Sequence, residues 1–121
     1  MLHEPVAADG DKLPKLAELL EQVRSAIADV AQSRERVQES ITALAQAQAK
    51  LGRQADTARR FGREDLARAA LARQEAARSQ LAALALQYDQ LLAEEAELEA
   101  KLTTTAQALQ AKIDALSRLS E

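Results

Sequence analysis

The sequence predicts an all-α protein, a long antiparallel coiled-coil helical hairpin. Three observations predict it. Hydrophobic residues make up 47% of the 121-residue chain but aromatic residues only 2%, so the apolar content is mostly alanine and leucine, which are strong helix formers. Apolar residues recur at alternating spacings of three and four along two long stretches, the period of a coiled-coil seam rather than of an ordinary amphipathic helix. Between the stretches lies one break, Arg59-Arg60-Phe61-Gly62-Arg63-Glu64-Asp65. Alanine removes little surface from water when buried, so this composition cannot fill a large globular core. With 29% charged residues and hardly any glycine or proline, it is the composition of long helices.

Residues 1–12 contain Pro5 and Gly10 and show no helical period; they are expected to be disordered. The remainder, 13–121, is the hairpin, with arm one at 14–61, the tip at 61–64 and arm two at 64–119. Asp11 is placed to cap the first helix, and Pro14 suits its first turn, where a missing N–H costs nothing. The first seam reads Leu16, Leu20, Val23, Ile27, Val30, Arg34, Val37, Ile41, Leu44, Gln48, Leu51, Ala55 and Ala58. The second reads Ala67, Ala70, Gln74, Ala77, Leu81, Leu84, Tyr88, Leu91, Glu95, Leu98, Leu102, Thr105 and Leu109. Beyond Leu109 the frame falls on Lys112 and recovers at Leu116, with Ile113 and Leu119 beside it. At the break, Gly62 can adopt the left-handed conformation that ends a helix, and Glu64 and Asp65 suit the N-terminus of the next one.

If the chain folds back near Gly62, facing residues have numbers with a constant sum. A sum of about 125 matches seam to seam throughout: Ala58 with Ala67, Leu51 with Gln74, Leu44 with Leu81, Val37 with Tyr88, Val23 with Leu102. Each arm is then about 45 to 50 residues, or about 70 Å at a rise of about 1.5 Å per residue. The alternative is one continuous helix forming an antiparallel dimer, since Gly62 costs such a helix only about 1 kcal/mol relative to alanine. Gly52 already falls inside a helical stretch.

Two polar seam residues are candidates for setting register, Arg34 and Glu95. Arg34 faces Leu91, with Glu94 and Glu95 within about one turn. One reading is a lock that sacrifices stability to exclude other pairings. The other, which is favoured, is that Arg34 carries its charged head out to solvent over an alanine-rich stretch.

Charge is uneven along the chain. Seven arginines fall between Arg53 and Arg78 against four acids, while Asp89–Glu99 is strongly acidic. Arg59, Arg60, Phe61, Arg63 and Arg68 are therefore candidate contact residues, through which the tip docks on acidic arms of neighbours or on anionic lipid headgroups. The simpler reading is a solvated helix surface laced with i,i+4 pairs, each worth a few tenths of a kcal/mol. Phe61 is expected to plug the end of the seam rather than to stand as an exposed anchor. Tyr88 is expected to be core, with its hydroxyl at the edge. Leu19, Leu71, Leu86 and Leu92 fall outside the seam and are expected to be exposed and to pack on a second hairpin.

Several function classes are disfavoured. A net charge of −3 and few aromatics argue against nucleic-acid binding. The chain has no cysteine, so no disulfide or thiolate chemistry. No apolar run approaches the roughly 18 residues of a membrane span, and Met1–Lys12 carries Glu4, Asp9 and Asp11 rather than a signal peptide's basic start; the expectation is a cytoplasmic protein. His3 has no second ligand or nucleophile pattern beside it. Glu94, Glu95, Glu97 and Glu99 form a solvated helix face that nothing encloses, not an acid/base pair, and no glycine-rich phosphate loop occurs. The expectation is a protein that is not an enzyme, with no catalytic, cofactor-binding or metal site.

Two segments, Val23-Arg24-Ser25-Ala26-Ile27-Ala28-Asp29-Val30-Ala31-Gln32-Ser33-Arg34-Glu35-Arg36 and Gly62-Arg63-Glu64-Asp65-Leu66-Ala67-Arg68-Ala69-Ala70-Leu71, resemble the phage shock protein A family. That family includes the vesicle-inducing protein of plastids and is related to the ESCRT-III superfamily. The second segment is the more specific and falls at the hairpin tip in the family; the resemblance spans about residues 14–119. It implies a bacterial protein peripheral to the inner face of the cell membrane. It also implies large homo-oligomers, support of membranes under stress and, for some members, restraint of an AAA+ transcriptional activator. The pattern departs at both ends. Family members begin with an amphipathic lipid-inserting helix, whereas residues 1–12 are acidic without an apolar face. They also continue for several helices beyond the hairpin. A truncated relative, a regulator that co-assembles with a full-length family member and an excised domain all fit this. The expected function is a non-enzymatic scaffold or modulator acting in membrane stress through homo- or co-oligomerisation. The alternative is a generic coiled-coil protein–protein adaptor with no membrane role.

Overall fold

The computed structural model describes the backbone of residues 4–120 and the side chains of residues 12–120. His3 and the start of the segment expected to be disordered lie outside the described residues. Two helices make up the fold, α1 at Glu4–Arg60 and α2 at Glu64–Leu119. They pack against each other as an all-α helical hairpin, with no strand among the described residues. Their contacts divide into two units, Gln32–Leu92, which holds the turn, and Met1–Ala31 with Ala93–Glu121.

The start of α1 corrects the sequence expectation. Residues 4–12 are helical, and Pro14 lies inside the helix rather than in its first turn. Asp11, expected as the cap, falls within α1, and its side chain is outside the described set. An interior proline costs about 3 kcal/mol through its missing N–H and its ring, which is why the sequence favours a start there. A long helix is already nucleated, however, and extending it needs only propagation.

Gln32–Leu92 shows how the seam is built. Every seam position of both runs in this unit is buried or half-buried. Val37, Ala55, Ala67, Ala70 and Ala77 are buried outright, with Ala67 at 0% and Ala55 at 1% exposure. Tyr88 is half-buried, as a core residue with an edge-seeking hydroxyl should be. Toward the turn the seam narrows to alanine, whose small side chain lets two backbones approach. Each alanine methyl buried there contributes on the order of 0.8 kcal/mol, against about 1.5–3 kcal/mol for a valine or leucine.

One side-chain contact ties the two helices together within this unit. Gln74 donates from Nε2 to the Gln48 carbonyl at 3.2 Å. A Cβ placed on Gly52 would lie 2.9 Å from the same Nε2. Gln48 and Gly52 bracket Leu51, the partner that the constant-sum rule assigns to Gln74. The absence of a side chain at Gly52 thus opens the space through which the Gln74 amide reaches the backbone of α1. A carbonyl has a second lone pair, so this bond adds to the helical one.

In the other unit, Leu20, Val23 and Val30 of α1 are buried, as is Thr105 of α2. Leu16, Ile27, Glu95, Leu98, Leu102, Leu109, Lys112 and Leu116 are half-buried. The heptad frame therefore survives its passage through Lys112, which is engaged by a neighbouring group.

Gly52→Ala sets two effects of similar size against each other. Helix propensity gains about 1 kcal/mol, and displacing Gln74 loses about 1 kcal/mol of hydrogen bond. We expect near-neutral stability in the parent chain and a gain of about 1 kcal/mol in a Gln74→Ala background. Urea unfolding of the four proteins checks this; equal effects of Gly52→Ala in both backgrounds would exclude this coupling of Gly52 to Gln74.

Candidate functional site at the hairpin tip

The tip is organised by the turn between the helices. Gly62 has a φ of 70°, the left-handed conformation that costs other residues roughly 1–2 kcal/mol. Its N–H donates to the Arg59 carbonyl at 3.0 Å, and the Arg63 N–H donates to the Ala58 carbonyl at 2.8 Å. These are the two bonds of a Schellman motif, closing the last carbonyls of α1. Arg63 then changes role, because its own carbonyl accepts the Ala67 N–H at 3.0 Å and so opens α2. One residue thus closes one helix and starts the next, and only Phe61, Gly62 and Arg63 lie between them.

An arginine side chain cannot cap a helix N-terminus, since it has no acceptor. Asp65 supplies the acceptor instead. Arg63 Nε and Nη2 donate to the two oxygens of the Asp65 carboxylate, each at 3.2 Å. That fork, together with the Leu66 N–H, holds the Asp65 carboxyl below the usual aspartate range; slight desolvation opposes them, and the Asp65 N–H adds to them. Arg59 approaches Glu64 at 3.9 Å. Both pairs are at least half exposed, so each contributes little net stability.

Beside the turn, in Gln32–Leu92, an open groove of about 550 Å³ runs between the two helices. Leu51, Ala58, Phe61, Leu66, Ala69 and Ala70 give it an apolar surface, Gln54 and Thr57 add polar positions, and Arg53, Arg63 and Arg73 surround it. No carboxylate lines it. Phe61 is 78% exposed and Leu66 49%. This corrects the expectation that Phe61 plugs the seam. The seam end is already closed by Ala55, Ala67 and Ala70, so Phe61 stands on the flank.

The candidate contact residues separate here. Phe61 and Arg63 line the groove, while Arg59, Arg60 and Arg68 are exposed and do not. Arg53 and Arg73 belong to it and escaped the sequence reading. The signal was present: positions flanking the seam on one side pair with a sum of 127, two more than the seam's 125, which sets Gln54 against Arg73 and Phe61 against Leu66. Leu86 and Leu92 are exposed as expected, whereas Leu19 and Leu71 are half-buried, because they border the seam closely enough to be partly covered. Arg34 is half-buried and its Nε is shielded from solvent. Glu95 is likewise half-buried, and each is engaged by a neighbouring group.

Among the described residues no cluster of His, Asp or Glu is arranged to hold a metal ion, and no helix is long and apolar enough to cross a membrane. No family model, curated protein or solved structure matches the chain.

Two outcomes follow from the turn. A Cβ at Gly62 meets nothing within 4 Å, so Gly62→Ala carries a purely conformational cost of roughly 1–2 kcal/mol. Gly62→Asn should cost less, because asparagine tolerates the left-handed region; chemical denaturation that ranks asparagine below alanine would contradict this origin. Asp65 has a depressed folded pKa, so its contribution is complete above the unfolded value and is lost as pH falls through the folded one. The stability gap between the parent and Asp65→Asn should therefore persist at neutral pH and close below about pH 4. A gap of the same size at pH 7 and pH 2 would rule out the carboxylate as its source.

Proposed function

We propose that the chain is a non-enzymatic coiled-coil scaffold or modulator resembling phage shock protein A. In this reading it acts at the inner face of the bacterial cell membrane, in membrane stress and maintenance, through homo- or co-oligomerisation with a full-length family member. The observation that carries the reading is the position of the most specific stretch of the resemblance. Gly62–Leu71 supplies the left-handed turn residue, the bridging Arg63, the Asp65 carboxylate and the Leu66 wall of the tip groove. The stretch is thus explained by the chemistry of a hairpin tip, beyond general helix composition. Self-association is supported by an alanine-rich seam that buries modest area, and by Phe61, Leu66, Leu86 and Leu92 left in contact with water.

A second reading, a protein–protein adaptor without a membrane role, is favoured by a different observation. Two of the tip arginines spend their charge locally, Arg59 on Glu64 and Arg63 on Asp65, which weakens attraction to an anionic surface. Flotation of the purified chain with anionic liposomes separates the two. The membrane reading expects co-flotation at low salt that declines at moderate salt, as screening of exposed charges demands. Absence of co-flotation at low salt would remove the membrane role and leave the adaptor.

A further inference from the structure

We infer that the tip groove is the docking site for the acidic stretch of α2, Asp89–Glu99, in a second copy of this chain. The inference rests on the self-association in the reading above and names the surfaces that carry it. The groove asks for a specific occupant. Its walls, Phe61 and Leu66, are apolar and exposed, and its rim carries Arg53, Arg63 and Arg73 with no carboxylate among the lining residues. Arg63 is held by Asp65, but the tip's ion pairs do not involve Arg53 or Arg73. Such a surface fits a helix face that presents an apolar side chain between acids.

The chain carries that face. Asp89–Glu99 holds five carboxylates and no cation. Within it Leu92 is 41% exposed. On a helix, Asp89, Leu92, Ala96 and Glu99 share one side, being spaced by three or four residues. The leucine therefore has an acid one turn before it and another two turns after. The same molecule cannot seat this face in its own groove. Asp89 lies sixteen residues beyond Arg73 on α2, about 24 Å along the helix axis. Each copy offers both a groove and an acidic face, so the opposite charges select tip against arm and disfavour tip against tip.

The test is a charge exchange read by sedimentation across a concentration series at low salt. One variant carries Arg53→Glu and Arg73→Glu, the other Asp89→Lys and Glu99→Lys. All four positions are exposed, and circular dichroism verifies that helicity is retained. The expected result is that each variant alone weakens self-association by at least about tenfold, and that an equimolar mixture of the two restores it. Self-association unchanged in either variant, or not restored on mixing, overturns the inference while leaving assembly through another surface. A parent chain that is monomeric at every concentration overturns the inference together with the self-assembling part of the reading above. Loss of binding to phosphatidylglycerol vesicles by the Arg53→Glu, Arg73→Glu variant, with self-association intact, assigns the groove to lipid headgroups and also overturns it.

Discussion

The hairpin depends on a reversal that one residue makes possible. At Gly62 the backbone enters the left-handed region, and two hydrogen bonds, to Arg59 and Ala58, close α1 behind it. A residue with a Cβ would pay a conformational penalty at this position, and a chain without the reversal would run on as one helix whose two heptad runs are out of phase with each other. The turn is also short, because Arg63 serves both helices. Shortness matters for the seam. It leaves no slack in the loop, so the first residues able to face each other are Ala58 and Ala67, and every later pair follows from that choice.

Packing next to the turn then constrains the surface. Two helices joined by three residues meet next to the turn through small side chains, and Ala55, Ala67 and Ala70 are buried there. A larger residue at these positions would force the arms apart. Larger side chains near the turn are consequently excluded from the seam and stand on its flanks, as Phe61 and Leu66 do. The groove is thus a by-product of a narrow interior, bordered by side chains that the interior cannot accept. Farther along α1, Gly52 plays the converse part, giving up a side chain so that Gln74 can reach the backbone.

Much of this was legible in the sequence, for a definable reason. A seam has a period, and a period is readable without coordinates, so the alternation of three and four located the buried positions along both helices, including the half-buried Lys112. The turn was legible because glycine is the residue that takes a positive φ without strain. What escaped lacks a period. The helix before Pro14 carries no apolar stripe to announce it, and its presence reflects propagation from a nucleated helix rather than a local signal. Phe61 was misplaced because its hydrophobicity suggested burial, whereas the available volume was already taken by alanine. Arg53 and Arg73 were passed over because charge was read along the chain and not across the hairpin, where flanking positions of the two helices meet.

Polar groups in the seam show what the remaining interior can tolerate. Arg34 keeps its Nε out of solvent, and Gln74 is half-buried with its amide on a backbone carbonyl. Both reduce the apolar area that two helices of this composition can remove from water, yet ordering each residue costs about 1–2 kcal/mol. Such groups are useful where pairing must be unique, because a shifted register would strand them without partners. Phe61, at 78% exposure, contributes little burial to that hairpin, and Leu66, at 49%, about half of what it could. A thin seam of alanine and an apolar tip fringed with arginine are thus linked, because the side chains that the narrow interior excludes are the ones that stand exposed at the tip.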